Sequence, residues 1–124
     1  MNLNYNLKHF AYIGDVVWEI FIREIVIQNT QVQKTMHQMT TKCVNAQAQA
    51  DFLEKIIDKL APDEEEIQKR GRNLKISINK KNNPKIHALA TSFEVLIGYL
   101  YLSNKQRLEE IFNLLRDDVL KVIK

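Results

Sequence analysis

The feature that most restricts the fold of this chain is an apolar helical run, Ala11–Glu24, that contains a glycine next to a carboxylate, Gly14 and Asp15. The run is apolar on most sides, which is typical of a core helix. An ionised carboxylate buried in such a helix is costly unless it is paired or binds a metal. Glycine inside a helix costs about 1 kcal/mol relative to alanine, and it usually permits the close approach of another backbone.

A second apolar run, Thr91–Leu102, has the same two elements, because it contains Glu94 and, one turn later, Gly98. Residues four apart share one face of a helix. We therefore predict that the two helices cross at their glycines, which would bring Asp15 and Glu94 together around a divalent metal. The alternative is that Asp15 pairs with a nearby arginine or lysine, and that Glu94 caps or bridges another helix. Two matching helices in one short chain favour the metal.

The chain is predicted to be all-α and to form a single domain over residues 1–124. It has only three glycines and two prolines, and its apolar residues follow helical periods. Helices are expected at about His9–Ile27, Lys34–Lys42, Ala46–Leu60, a short helix from Asp63, Pro84–Leu102 and Gln106–Ile123. Gly71 is a candidate left-handed cap of the short helix. The inward positions of the last helix are expected to be Leu108, Ile111, Leu115, Val119 and Val122.

Cysteine usage and hydropathy predict a cytoplasmic protein that does not enter a membrane. Cys43 is the single cysteine, so an intrachain disulfide is excluded, and a small core residue is its expected role. Met1–Lys8 is polar and has no signal-peptide pattern. We also expect no apolar run of the roughly 18–20 residues that a membrane span needs.

Positive charge is concentrated in one part of the chain, although the net charge is only +3. Between Gln68 and His87 there are basic residues and no acidic ones, and the basic ones are Lys69, Arg70, Arg72, Lys75, Lys80, Lys81 and Lys85. A stretch of one sign on a balanced scaffold is typical of a contact with a polyanion. A solvated loop is the alternative, and the absence of compensating acids favours a contact with phosphates.

Four stretches resemble the catalytic domain of ribonuclease III, specifically its short Mini-III branch. Tyr12–Asp15 resembles the first signature of the family, and Phe93–Tyr99 resembles the second. Arg70–Asn73 and Ala46–Ala50 are similar to stretches of the Mini-III branch. The resemblance covers nearly the whole chain, and it implies a ribonuclease III-like helical endonuclease domain.

The resemblance carries two acidic metal ligands over to this sequence, Asp15 and Glu94. Ribonuclease III proteins outside the Mini-III branch have a glutamate at the position of Ala11 and an aspartate at the position of Thr91. Mini-III proteins lack both, so these two differences agree with the branch. No double-stranded-RNA-binding domain is expected after Lys124.

The resemblance also implies what the protein binds and what it does. It implies a homodimer with one cleavage site per subunit and Mg²⁺-dependent hydrolysis of double-stranded RNA, in which Mn²⁺ can replace Mg²⁺. It further implies maturation of large-subunit ribosomal RNA, and it leaves open whether a ribosomal protein assists. The RNA would be held by Lys69, Arg70, Arg72, Asn73 and Lys75, with Lys80, Lys81 and Lys85 in support.

Two other functions compete with this one. The first is a catalytically inactive, ribonuclease III-like protein that binds RNA. The second is an all-α metal-dependent nucleotide pyrophosphatase, which requires pairs of glutamates three residues apart on adjoining helices. Asp15 and Glu94 do not provide such pairs.

Overall fold

The structure is a computed structural model, and it describes residues 5–74 and 83–124. Within these ranges the chain forms α-helices and one short 3₁₀ turn and contains no strand, which confirms the predicted all-α fold. The helices are α1 (Leu7–Asn29), α2 (Gln33–Val44), α3 (Ala46–Ile56), α4 (Pro62–Arg72), α5 (Pro84–Ser103) and α6 (Lys105–Ile123). Lys75, Lys80 and Lys81 lie outside the described residues.

Asparagine residues begin four of these helices. Asn6, Asn45, Asn83 and Asn104 each accept a hydrogen bond from a backbone N–H of the first turn, the donors that a helix leaves unpaired. Asn104 also follows the last residue of α5, where its backbone N–H donates to the carbonyl oxygen of Leu100. Side-chain capping therefore marks the start of four of the six described α-helices.

Two predicted boundaries are wrong. Helix α3 ends at Ile56 instead of Leu60, and the chain continues as the 3₁₀ turn Ile57–Lys59. Gly71 is not a left-handed cap, because it lies within α4 and no described glycine has a positive φ. Gly71 instead faces α5, where a Cβ at its position would lie 2.9 Å from the Cβ of Val95.

Helix α5 is the centre of the domain, with α1, α3, α4 and α6 packed around it. Trp18 is fully buried and packs edge-on against Phe93 at a ring distance of 4.8 Å. Its indole N–H donates a hydrogen bond of 3.0 Å to the carbonyl oxygen of Cys43. Cys43 is itself fully buried, and burial raises the pKa of its thiol to about 11, so it has the expected core role.

Helix α5 is also longer and more apolar than the hydropathy argument expected. It has 20 residues, and an 18-residue window within it has a mean hydropathy of 1.3, which by length and composition alone would suffice to cross a membrane. Half of that window is buried inside the domain. Its packing against four other helices is that of a core helix.

A buried ion pair fixes α4 against α6. Glu64 is 3% exposed, and its carboxylate accepts hydrogen bonds from Nε of Arg107 at 2.8 Å and from Nη2 at 3.0 Å. Arg107 also donates to Glu110 at 2.8 Å and to the carbonyl oxygen of Lys59 at 3.0 Å. These acceptors raise the pKa of the Arg107 guanidinium.

Candidate active site

Helices α1 and α5 cross at their glycines, as the sequence predicts. A Cβ at Gly14 would overlap the carbonyl oxygen of Glu94 and would lie 2.9 Å from the nitrogen of Gly98. A Cβ at Gly98 would overlap the carbonyl oxygen of Phe10 and would lie 2.9 Å from Cγ2 of Ile13. Only hydrogen atoms fit between the two backbones at these positions, so both glycines are required for this approach.

This crossing brings the carboxyl groups of Asp15 and Glu94 close enough for Asp15 to change the ionisation of Glu94. The pKa of Glu94 rises to about 8, first because the group is desolvated, and then because of the charge of Asp15 and the hydrogen bond to it. The two side chains therefore meet, although they lie far apart in the sequence. That they bind a metal stays a prediction.

The burial of these two carboxylates differs from the sequence argument, which treated both as buried. Asp15 is exposed, and Glu94 is half-buried. The reason is geometric. Gly14 occupies the contact position on α1, and the next residue of a helix points about 100° away from it. Solvent therefore reaches the pair from the Asp15 side.

The ion pairs of the described residues do not include either carboxylate, so the alternative of simple charge pairing is not observed there. Two carboxyl groups that meet without a cation repel each other, and a divalent cation would relieve that repulsion. Their hard oxygen atoms are ligands that Mg²⁺ prefers. Among residues 5–74 and 83–124 no group of three or more acidic, histidine or cysteine side chains has metal-binding geometry. Two carboxylates per chain suit Mg²⁺, which keeps several water molecules.

Two polar residues near the pair have structural contacts. Glu19, one turn beyond Asp15, accepts a hydrogen bond of 3.0 Å from Nε of Arg23. Thr91, one turn before Glu94, is 4% exposed. Its hydroxyl is therefore held inside the domain.

The described part of the basic stretch lies at the adjoining ends of α4 and α5. Lys69, Arg70, Arg72 and Asn73 are exposed on the last turn of α4 or just after it, and Lys85 is exposed on the first turn of α5. Gly71 lets this end of α4 approach α5 closely, beside Ser92 and Val95. The basic end of α4 is therefore adjacent to the segment of α5 that carries Glu94.

One part of the site was not predicted from the sequence, a buried polar cluster under the basic residues of α4. Gln68 is fully buried, and its amide oxygen accepts hydrogen bonds from Arg72 Nη2 at 2.8 Å and from the Ser92 hydroxyl at 3.0 Å. The spacing of Gln68 and Arg72, four residues on one helix, is the only sequence signal for it. Helix α4 has too few apolar residues to show which face is buried.

Helix α1 also has an exposed apolar row beside the carboxylates, which consists of Tyr12, Val16 and Ile20. These residues are 82%, 51% and 52% exposed, and they follow one another at intervals of four. A cleft of about 360 Å³ lies between α1 and α6, and it is lined by Val16 and Ile20 of α1 and by Phe112 of α6. The prediction that α1 is a core helix on most sides is wrong for this face, because these three apolar residues are exposed.

Comparison with known proteins identifies a family. Residues 8–105 match the ribonuclease III domain. The Mini-ribonuclease 3 of Clostridium tetani is 46% identical over 84% of this chain and 72% of its own length. The Mini-ribonuclease 3 of Thermoanaerobacter is 41% identical over 84% and 75%, and that of Enterococcus faecalis is 40% identical over 83% and 82%.

A solved structure supports the same assignment. The crystal structure of the Fusobacterium nucleatum protein FN1578 has a TM-score of 0.83 and 27% sequence identity, and the match covers 94% of this chain and 95% of that one. The predicted resemblance is therefore confirmed at the levels of sequence and fold. From these matches we conclude that the chain belongs to the ribonuclease III domain family, in its Mini-ribonuclease 3 branch, and is a ribonuclease.

Proposed function

We propose that this ribonuclease is an endonuclease that hydrolyses double-stranded RNA, with Asp15 and Glu94 as its catalytic carboxylates. One observation supports this proposal most directly. Helices α1 and α5 cross at Gly14 and Gly98, and the crossing brings the two carboxyl groups together. The ribonuclease III family acts on double-stranded RNA and is in general dependent on divalent metals.

Asp15 and Glu94 would hold Mg²⁺, or Mn²⁺ in its place. When bound, such a metal lowers the pKa of a water molecule and polarises a phosphoryl oxygen. Asp15 is the exposed member of the pair, so its carboxylate is the one that can also accept a proton from the attacking water. The backbone of Glu94 is fixed by its close contact with Gly14 at the α1–α5 crossing, and its side chain is half-buried.

The exposed basic residues of α4 and α5 would position the RNA by its phosphates. The exposed positions of Lys69, Arg70, Arg72, Asn73 and Lys85 at the adjoining helix ends support this role. We propose the same role for Lys75, Lys80 and Lys81 from the sequence alone. A-form RNA presents phosphates and 2′-hydroxyls across a shallow minor groove, so we expect recognition by shape instead of by base sequence. Binding should weaken steeply as salt concentration rises.

A homodimer would place two such sites on one duplex, one for each strand. We propose that the apolar row of α1, Tyr12, Val16 and Ile20, is the dimer interface. Large exposed apolar residues in a continuous row mark interaction surfaces, and this row follows the same helix as Asp15. Dimerisation through it would set the distance between the two cleavage sites.

The biological substrate that we propose is the precursor of large-subunit ribosomal RNA, in the bacterial cytoplasm. Support for it comes from similarity to bacterial Mini-ribonuclease 3 proteins. Whether a ribosomal protein takes part is a question for a reconstituted ribosomal particle.

The test is cleavage of a synthetic duplex RNA by the wild-type protein and by Asp15→Asn and Glu94→Gln. We expect wild type to cut both strands in Mg²⁺ or Mn²⁺ and to leave 5′-phosphates, and we expect each variant to lose at least about a thousandfold in rate, since the carboxylates hold the metal. Circular dichroism checks that both variants fold. Normal cleavage by either variant would remove that residue from the site.

Two outcomes would support the competing functions instead. Tight binding of duplex RNA by wild type without any cleavage in either metal would indicate an inactive RNA-binding protein. Hydrolysis of nucleoside triphosphates to monophosphates would indicate a pyrophosphatase.

A further inference from the structure

We infer that Gln68 is a positioning residue that holds the Arg72 guanidinium ready for an RNA phosphate, an inference that rests on the proposed function. Gln68 lies at the end of α4 beneath the exposed basic residues, and its side chain is fully buried. Neither the resemblance nor the basic stretch of the sequence points to it. The hydrogen bonds of its side-chain amide support this inference.

The partners of the Gln68 amide determine its orientation. The amide oxygen accepts from Nη2 of Arg72 at 2.8 Å, and the Ser92 hydroxyl lies 3.0 Å from the same oxygen. The amide nitrogen donates to the Glu65 carboxylate at 3.2 Å. If the amide were reversed, its nitrogen would face the Arg72 guanidinium, which only donates, and its oxygen would face the Glu65 carboxylate, which only accepts. Hydrogen-bond chemistry therefore permits only one orientation.

Helix α5 supplies the fixed end of this arrangement. The Ser92 hydroxyl is fully buried, and it also lies 2.7 Å from the main-chain oxygen of Gln68, so one proton is shared between two acceptors. Ser92 is two residues before Glu94 on the same helix. The Arg72 guanidinium is thus linked through two buried side chains to the helix that carries a proposed catalytic carboxylate.

An amide at a fully buried position needs a reason, because it is costly to bury unless its hydrogen bonds are made. An apolar residue would fill the same space at lower cost. At Gln68 the gain is a fixed arginine. Arg72 is exposed, and among the described residues its guanidinium makes this one side-chain hydrogen bond. Within residues 5–74 and 83–124 no second side chain accepts from this guanidinium, so its remaining N–H groups can meet a phosphate, with part of the ordering already done before RNA binds.

A double-mutant cycle tests the inference. The parent is the full chain with Asp15→Asn, which should bind a fluorescent duplex RNA without cutting it. The variants are Gln68→Met, Arg72→Ala and both together, with fluorescence anisotropy as the measurement. Methionine keeps the length and volume of glutamine, and the Ser92 hydroxyl keeps its bond to the main-chain oxygen.

We expect Gln68→Met to raise the Kd roughly three- to tenfold, the cost of ordering one long side chain at an interface. Once Arg72→Ala is present, Gln68→Met should change the Kd less than about twofold, because the group that it positions is gone. Lys55→Ala is the charge-matched control, since Lys55 is an exposed lysine on α3. Its effect and that of Gln68→Met should multiply.

Each result supports or overturns one claim. Equal effects of Gln68→Met with and without Arg72, or no effect in either case, would overturn the positioning role and leave the proposed function intact. No effect of Arg72→Ala would do the same. A parent protein that does not bind duplex RNA would instead overturn the proposed function. If Gln68→Met does not fold, the same cycle with Ser92→Ala decides, with a smaller effect expected in the same direction.

Discussion

At the scale of single residues, Glu94 is the side chain whose chemistry the fold changes most. In the folded protein its pKa is about 8 instead of 4.5, because it is desolvated and faces Asp15. The helix crossing holds the two carboxyl groups together although, without a cation, their charges repel. This repulsion has a measurable consequence for stability.

We predict that the metal-free protein becomes less stable as pH rises from about 4.5 to about 8. In this window the unfolded chain has released the Glu94 proton and the folded chain keeps it, so the free energy of unfolding falls with pH. One proton limits the slope to about 1.4 kcal/mol per pH unit. The measurement is urea denaturation in EDTA at several pH values.

Glu94→Gln is the matched control, because glutamine does not ionise and should remove this part of the slope. Adding Mg²⁺ or Mn²⁺ near pH 8 should raise the Tm of wild type and leave that of Glu94→Gln nearly unchanged. An unchanged slope in Glu94→Gln would mean that Glu94 is ionised throughout in the folded protein.

At the scale of helices, the α1–α5 contact depends on two glycines, and α4 depends on a buried ion pair. Residue patterns were enough to predict the first. Glycine and a carboxylate recur in two apolar runs, and few arrangements other than a crossing explain both. The ion pair was not predictable, because the four consecutive acids of α4 have the same local pattern whether they are solvated or buried.

We predict that Gly14→Ala and Gly98→Ala each destabilise the protein by about 1–3 kcal/mol or more. The added methyl group would overlap backbone atoms of the opposite helix, which cannot move without separating the two helices. Gly71→Ala is the comparison variant and should cost less, because its Cβ would lie 2.9 Å from the Val95 Cβ and 3.2 Å from the Ser92 Cα, a milder clash than the overlap with carbonyl oxygens at Gly14 and Gly98. Thermal unfolding ranks the three, and equal Tm values for all three would contradict the close crossing.

We predict that Arg107→Ala costs about 3–5 kcal/mol, because it leaves the buried Glu64 carboxylate without its cation. Arg23→Ala breaks the exposed pair with Glu19 and should cost at most about 1 kcal/mol. Chemical denaturation compares the two variants. Similar losses would mean that water, and not Arg107, stabilises the Glu64 charge.

At the scale of the whole molecule, the apolar row of α1 is a continuous exposed surface among the residues that the structure describes. It lies on the same helix as Asp15, so assembly and catalysis would depend on one element. Trp18 and Phe21 lie on the same helix, but both are buried and belong to the core. The interface candidates are instead their exposed neighbours on α1.

We predict that Ile20→Lys converts a dimer into a folded monomer with much lower cleavage activity. Ile20 is 52% exposed, so the change leaves the core intact, but it places a charge in an apolar interface. Leu114→Lys is the control, because Leu114 is an exposed apolar residue, at 43%, on α6. Light scattering coupled to gel filtration gives the mass. A dimer that survives Ile20→Lys would place the interface elsewhere.

The sequence by itself determined the helical class, the crossing of two helices and which two carboxylates meet there. These features follow from local periodicity and from glycine beside or near a carboxylate in two apolar runs. Only the tertiary structure decided which carboxylate is exposed, that Gly71 packs inside a helix, that Val122 is 39% exposed despite its apolar pattern, and that Gln68 is buried. The physical reason is that burial depends on which neighbour covers a face. Residues far apart in the chain provide that neighbour, and local periodicity contains no information about it.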